Sequence, residues 1–462
     1  MSKIIMLAQA QVNRKSSFQL KHSYLSAAML SLFLGISQMS WAETNTSKAT
    51  SLNAIIGQVE DFQNRQNVWQ TQEQIANLNV KNAGLWDNPS LSIEQTGFDS
   101  KKDQELAMTI SQRLDIFGER KAQKSVAKIS QQQVSLKQQI YATKLKLVVK
   151  HAWSQVAILT LEKALLQEQL QLSQESLNAA QNRYLAGSIA QVDVDRVRML
   201  HLENQRLATQ SQLQLNLAQQ QLSHLWGESN RPINIELSAQ NLWPKNVQNQ
   251  ITENLSQNVF QQSLQMDVQI NQANLDYLKA KARPNPTLSL GLNRIKSPEA
   301  KTDNQTMLGI EIPLNIFNRN QYRIQIAQAQ QNALSSQQQL YAQQNQLSIQ
   351  SLVDEILGLE QQFQQLEQSQ IPLAAQVQQR MLAGFRAGKF NISDVQQATQ
   401  QIQDIRMRKI QLLKDGWQRA IDVESLSIGI DSSEITAKDA IFTINQSTWA
   451  ELQALPVIGG GN

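Results

Sequence analysis

The chain has 462 residues, among them 42 lysines and arginines, 38 aspartates and glutamates, and no cysteine. Because cysteine is absent, disulfides, thiolate metal sites, a catalytic thiol and an acylated lipoprotein N-terminus are excluded. The excess of four basic residues lies entirely within residues 1–42, so the rest of the chain is electrically neutral and nothing in it favours a nucleic-acid partner.

Residues 1–42 predict an export signal. Four basic residues precede an apolar run at residues 24–36, and this run is too short to span a bilayer. Ser40, Trp41 and Ala42 then supply the small-x-small pattern of a cleavage site before Glu43. A buried apolar helix is the alternative interpretation. An exported chain without cysteine fits the envelope of a bacterium, and no later stretch is apolar enough for a transmembrane helix.

Two pairs of segments alternate between apolar and polar residues, which predicts four β-strands. The pairs are residues 90–94 with 106–111 and residues 288–292 with 308–314. The polar stretches between them, residues 97–104 and 294–305, are expected to be exposed hairpin loops.

Alternation also fits a half-buried sheet in a soluble protein, but four strands complete no soluble sandwich or barrel in a chain of this length. An open sheet would leave edges that a bilayer cannot solvate. If the sheet enters a membrane, several chains must close it, and a trimer would supply twelve strands.

Each strand pair is followed by a very long predicted helix, from about Gly118 to Tyr184 and from about Arg319 to Phe385. A helix of this length extends about 100 Å. The second helix keeps coiled-coil spacing along one seam, which comprises Ile349, Leu352, Ile356, Leu359, Phe363, Leu366, Leu373 and Val377. Pro372 is expected to bend this helix, because its ring removes a backbone donor and clashes with the preceding turn.

Each long helix is expected to end at a glycine, Gly187 or Gly388, after which a second helix runs back. Glycine suits the left-handed conformation that closes a helix, and a carboxylate is favoured where the next helix begins, here at Asp193 and Asp394. The returning helices end near residues 226 and 426. The sequence therefore predicts two helical hairpins.

The same order of elements occurs twice, about 200 residues apart. Leu114-Asp115-Ile116-Phe117 returns as Leu314-Asn315-Ile316-Phe317, and Tyr184-Leu185-Ala186-Gly187 returns as Phe385-Arg386-Ala387-Gly388. Repeats of this length are whole structural units and not solenoid repeats. We expect a signal peptide at 1–42, a first repeat at 43–229, an equatorial connector at 230–260, a second repeat at 261–426 and an equatorial tail at 427–462.

With the strand pair, long helix, glycine turn and returning helix all duplicated, residues 50 to about 425 resemble the outer-membrane factor family typified by TolC. The strongest motif is the tip pattern from Arg183 to Val194, which occurs twice. The resemblance implies a mixed α/β membrane protein that works as a homotrimer. Twelve strands would form an outer-membrane β-barrel, twelve coiled-coil helices would form a periplasmic α-barrel, and the tips would meet a periplasmic adaptor protein.

Residues 112–120 and 312–321 resemble the branch of this family that exports heavy-metal cations. This implies a passive duct, with no enzymatic activity and no cofactor, that is served by a proton-driven inner-membrane pump. Two alternatives stay open: a channel for drugs or other small molecules, and a periplasmic coiled-coil scaffold without a pore.

The resemblance also implies a carboxylate ring at the periplasmic aperture, contributed by Asp394, with Asp193 as a structural or gate-linking residue. Such a ring would attract cations, whereas the alternative role for Asp394 is an ordinary helix N-terminal charge. The chain has Gln397 where a second acidic ring is expected and Phe390 where a gate-latching arginine is expected. A single ring and a differently latched gate follow.

The predicted adaptor contacts are the tip residues Tyr184, Leu185, Gly187, Phe385, Arg386 and Gly388, although each could simply cap its own helix pair. The histidines His151, His201 and His224 lack the spacing and the acidic neighbours of a metal site and are expected on helix surfaces. No metal site is predicted.

Overall fold

The computed structural model describes residues 51–453, apart from 66, 229–232, 234, 236–241, 246 and 257, and it describes the backbone alone at 248 and 256. The predicted export signal lies outside these residues. Parts of the predicted connector and residues 454–462 of the predicted tail also lie outside them.

The first half of the chain forms a strand pair between helices. Helices α1 (Leu52–Asn64) and α2 (Val68–Asn82) precede strands β1 (Ser90–Thr96) and β2 (Gln104–Arg113). Helix α3 (Glu119–Leu185) then runs for 67 residues, which is about 100 Å, and α4 (Gln191–His224) returns along it. The predicted long helix and hairpin are confirmed.

The start of α3 is fixed by one side chain. Both carboxylate oxygens of Asp115 accept backbone N–H bonds, from Glu119 at 2.7 Å and from Arg120 at 2.9 Å. These bonds satisfy two of the donors that a helix leaves free at its N-terminus. The strand is therefore joined to the helix by a short and well-bonded turn.

The second half repeats this order. Its elements are α5 (Val247–Ser256), α6 (Val259–Lys281), β3 (Thr287–Lys296), β4 (Asp303–Glu311), α7 (Gln321–Gln365), α8 (Ile371–Arg386), α9 (Ile392–Ile428), α10 (Ser432–Thr436) and α11 (Ala440–Gln453). Helix α6 begins two residues before the predicted boundary at 261, and α9 ends two residues after the predicted boundary at 426.

The four strands form one antiparallel sheet in the order β1-β2-β3-β4, and the central β2–β3 pair joins the two repeats. The register places Leu91, Ile110, Leu290 and Leu308 in one row across the sheet. Because side chains alternate along a strand, these rows give the sheet one apolar face and one mostly polar face. Every residue of β1 and β4 is exposed.

The strand ends differ slightly from prediction. Strand β4 ends at Glu311, so Ile312 and Leu314 lie beyond it, and the loop predicted at 294–305 spans only 297–302. The predicted ends followed the polarity of the side chains, whereas backbone pairing continues through polar residues such as Asn293 and Gln305.

The main apolar core lies around the middle of α3. Residues of α1, α3, α4 and α9 meet there with connector and tail residues such as Trp243 and Ile444. The indole N–H of Trp417 donates to the Leu242 carbonyl at 2.7 Å, which ties the connector to α9.

A π-helical turn, Leu366–Gln370, joins α7 to α8 and ends two residues before Pro372. The N–H of Ile371 donates to the Leu366 carbonyl, five residues back. The extra residue of this turn shifts the apolar seam: Ala374 is buried after Leu366, whereas Leu373 is 63% exposed. The prediction that the seam continues through Leu373 is therefore wrong, by one residue.

Candidate functional site at the helical hairpin tips

Each helical hairpin turns at a glycine in the left-handed conformation. Gly187 and Gly388 both have φ of +74°, which glycine adopts without the steric cost of a Cβ atom. Matching hydrogen bonds close the two turns, from Ser188 N–H to the Arg183 carbonyl at 2.9 Å and from Lys389 N–H to the Gly384 carbonyl at 2.8 Å. The two tips thus share one backbone geometry.

One buried apolar cluster joins the two tips. Its members are Leu177, Ala180, Val194, Val197, Phe385, Ile392 and Val395. Phe385 is 6% exposed, and the guanidinium of Arg183 lies 4.4 Å from the centroid of its ring. The predicted exposure of Phe385 for adaptor contact is therefore wrong, because the ring fills the space between the two hairpins.

The other predicted contact residues lie on the surface of the tips. Leu185 is 82% exposed and Tyr184 is 42% exposed, and Arg386 is exposed. No atom approaches within 4 Å of the position that a Cβ would take at Gly187 or at Gly388. These five residues leave a small mixed surface at the end of the hairpins.

Asp394 forms a capping box with Asn391 at the start of α9. Asn391 Oδ1 accepts from the Asp394 N–H at 2.9 Å, and Asp394 Oδ2 accepts from the Asn391 N–H at 3.0 Å. This pair satisfies two backbone donors of the helix. A structural role for Asp394 is thus present in a single chain, whereas a carboxylate ring requires further copies.

Asp193 occupies the equivalent place in α4 but has different partners. Its N–H donates to the Ala190 carbonyl at 3.1 Å, and its carboxylate lies 3.7 Å from the guanidinium of Arg196. Because alanine offers no side-chain acceptor, the first tip has no capping box. The duplication preserved the backbone turn but not the chemistry around the two aspartates.

Phe390 lies against Gly384 in the second tip. A Cβ atom built on Gly384 would come within 2.2 Å of the Phe390 ring, so only glycine leaves room for the ring here. Gln397 is exposed one turn after Asp394. The packing of Phe390 against Gly384 was not predicted, although the sequence shows a helical glycine followed six positions later by an aromatic residue.

Ion pairs between α3 and α9 hold the first repeat against the second. The three pairs are Lys150 with Glu424, Glu162 with Lys414 and Glu168 with Arg406. In the second of these, the Lys414 Nζ lies 2.7 Å from Glu162 Oε2, and Glu162 is 8% exposed. These ion pairs were not predicted, because the partners lie more than 200 residues apart along the chain.

The histidines occupy three different environments. His151 is partly buried, its Nδ1 has no hydrogen-bond partner, and burial lowers its pKa while nearby Asp422 opposes that effect. His201 Nδ1 lies 3.1 Å from Ser173 Oγ, and His224 is exposed. His151 is therefore partly buried on α3 and is not the exposed helix-surface residue that was predicted.

Within the described residues, no group of three or more histidine, aspartate or glutamate side chains is placed to hold a metal ion. None of the helices in the described ranges is long and apolar enough to cross a membrane.

Comparison with known proteins identifies relatives of both the sequence and the fold. Residues 260–427 match the family model "Outer membrane efflux protein". The cobalt-zinc-cadmium resistance protein CzcC of Cupriavidus metallidurans is 27% identical over 262 residues, which cover 54% of this chain and 59% of that protein. The match thus spans about three fifths of the curated relative.

Solved structures share the fold at low sequence identity. Crystal structures of CusC align with a TM-score of 0.65 and 16% identity, over 82% of this chain and 92% of that one. The outer membrane protein VceC of Vibrio cholerae aligns with a TM-score of 0.63 and 14% identity, over 82% and 96% of the two chains. The long helical hairpins and the four-stranded sheet are thus the architecture of these outer-membrane proteins.

Proposed function

Because the chain belongs to the outer membrane efflux protein family, we propose that it is the outer-membrane channel of a tripartite efflux system and exports heavy-metal cations. In this function the protein performs no chemistry. It provides a passive route for cations that an inner-membrane pump delivers.

The observation that supports a membrane channel is the open sheet with one apolar face. The row of Leu91, Ile110, Leu290 and Leu308 gives lipid an apolar surface, and the opposite face is polar enough to line water. Strands β1 and β4 each have one neighbour. A bilayer does not solvate such edges, so other copies must pair with them. Three copies give twelve strands, an even number within the range of outer-membrane barrels.

The helices supply the rest of the route. Helix α3 and the chain from α7 to α8 each leave the same end of the sheet and extend about 100 Å. In a trimer, the two hairpins of each copy contribute twelve helices to a tunnel that crosses the periplasm. The surface formed by Tyr184, Leu185, Gly187, Arg386 and Gly388 would then meet a periplasmic adaptor.

The proposed cargo rests on the curated relative. CzcC is named for resistance to cobalt, zinc and cadmium, and the match to it covers 54% of this chain. A passive channel exports what its pump delivers, so the transported cation is measured directly.

Deletion of the gene in its own host tests both parts. We expect the intracellular concentration of cobalt, zinc or cadmium to rise in the deletion strain. The wild-type gene is expected to restore export, and a gene that encodes the Gly388→Pro variant is not. Accumulation of ethidium without accumulation of metal would indicate a drug channel instead. If neither accumulates and the purified protein gives no conductance in planar bilayers, the chain would be a scaffold without a pore.

A further inference from the structure

Where the sheet meets the helices, the chain presents a band of exposed apolar side chains. We call this region the basal collar and define it as residues 85–86, 114–124, 277–284 and 312–323. Its exposed apolar and aromatic members are Leu85, Trp86, Ile116, Ile312, Leu314, Ile316, Phe317 and Tyr322. Phe317 is 91% exposed. These segments lie directly beyond the strand ends, between the sheet and the helices.

The basal collar is also strongly basic. Residues 114–124, 277–284 and 312–323 together hold eight basic and two acidic residues. Both acidic side chains are already engaged, since Asp115 caps α3 and Glu119 pairs with Arg113. None of the eight basic side chains has an ion-pair partner within the described part of the chain.

The opposite end of the sheet differs in charge. Residues 97–103 hold two basic and two acidic residues, and residues 297–302 hold one of each. The surplus of positive charge is therefore confined to the helical end of the sheet and is not a general property of its loops.

Two arginines of the basal collar lie over aromatic rings. The Arg120 guanidinium is 3.9 Å from the centroid of the Trp86 ring and donates to the Gly84 carbonyl at 3.3 Å. The Arg283 guanidinium is 5.6 Å from the Phe117 ring. Aromatic residues prefer the boundary between lipid and water, and guanidinium binds phosphate through paired hydrogen bonds. The stacking keeps these cations at the level of the rings.

We propose that the basal collar binds the headgroups of anionic phospholipids in the periplasm-facing leaflet. This inference rests on the proposed membrane function and adds a lipid preference to it. The exposed apolar side chains contact the acyl chains, and the surplus positive charge at the same level attracts anionic headgroups over zwitterionic ones. Each basic residue near an anionic surface strengthens binding roughly fivefold.

Trp86 is the only tryptophan of the basal collar and reports directly on its lipid neighbours. The full-length mature protein is placed in vesicles that contain either brominated phosphatidylglycerol or brominated phosphatidylcholine at the same mole fraction. Bromine quenches tryptophan only at close range, and a Trp86→Phe variant identifies the signal that Trp86 contributes. We expect phosphatidylglycerol to quench Trp86 several-fold more strongly than phosphatidylcholine does.

The double variant Arg120→Gln/Arg283→Gln is expected to reduce this several-fold preference to near equality between the two lipids, because it removes two of the charges that favour the anionic headgroup. The matched control Lys101→Gln/Lys102→Gln removes two charges from the other end of the sheet and is expected to leave the preference unchanged. Equal quenching by the two lipids in the wild type would overturn the lipid preference while leaving the membrane function standing. Absence of quenching by either lipid, with no incorporation into vesicles, would overturn both.

Discussion

Asp394 offers a way to separate a structural charge from a pore charge. Replacing it by asparagine removes one negative charge from each protomer but keeps a side-chain acceptor for the backbone N–H of Asn391, which lies 3.0 Å from Asp394 Oδ2. The matched variant Asn391→Ala removes the other acceptor of the capping box, 2.9 Å from the Asp394 N–H, and leaves the charge in place.

The two variants should differ in both stability and conductance. Asn391→Ala is expected to cost about 1 kcal/mol per helix, the usual effect of losing an N-terminal cap. Asp394→Asn loses only the interaction of the charge with the helix dipole, about 0.5 kcal/mol. In a trimer, however, Asp394→Asn removes three negative charges from one level of the pore, so preference for cations should fall.

The assay is the reversal potential across planar bilayers in a salt gradient, with thermal denaturation measured on the same samples. Asp394→Asn and Asp394→Ala are expected to shift the reversal potential or raise the conductance, and Asn391→Ala to leave both near wild type. If Asp394→Asn leaves the current-voltage curve unchanged, the aspartate is only a helix cap and the ring does not exist.

Three further changes test the tips and the helix contacts. Gly388→Pro should abolish metal export but leave trimers in the membrane, because proline cannot adopt φ of +74°; loss of the trimer would contradict this. Lys414→Met should lower the free energy of unfolding by about 2 kcal/mol, because it leaves the buried Glu162 carboxylate without its ion-pair partner. A Glu162→Leu/Lys414→Met double variant should have a higher Tm than Lys414→Met alone. Burial lowers the pKa of His151, so the unfolded chain binds its proton more readily and stability should fall as pH drops below about 6.5. His151→Gln should weaken that pH dependence of Tm, and an unchanged dependence would refute the assignment.

Local pattern was sufficient for the main elements of the fold. The strands, the long helices and the glycine turns each depend on residues close together in sequence, and duplication supplied the second copy of each. The shift of the seam after Leu366 was not accessible in this way, because the π turn adds one residue that no spacing rule anticipates.

Contacts between the repeats could not be predicted from one sequence. The burial of Phe385 depends on the neighbouring hairpin, and the pairing of Glu162 with Lys414 depends on the register of α3 against α9. The roles of Asp193 and Asp394 diverged through a neighbour three residues earlier, Ala190 or Asn391. That difference was visible in the sequence, but its effect on capping could be deduced only once the first residues of the two helices were known.

In the proposed channel, one chain supplies a third of a closed wall. Native mass spectrometry of the mature protein, released from detergent micelles, measures the number of copies. We expect a complex of three copies that requires detergent or lipid to remain in solution. A monomer that stays soluble in water without detergent would contradict it.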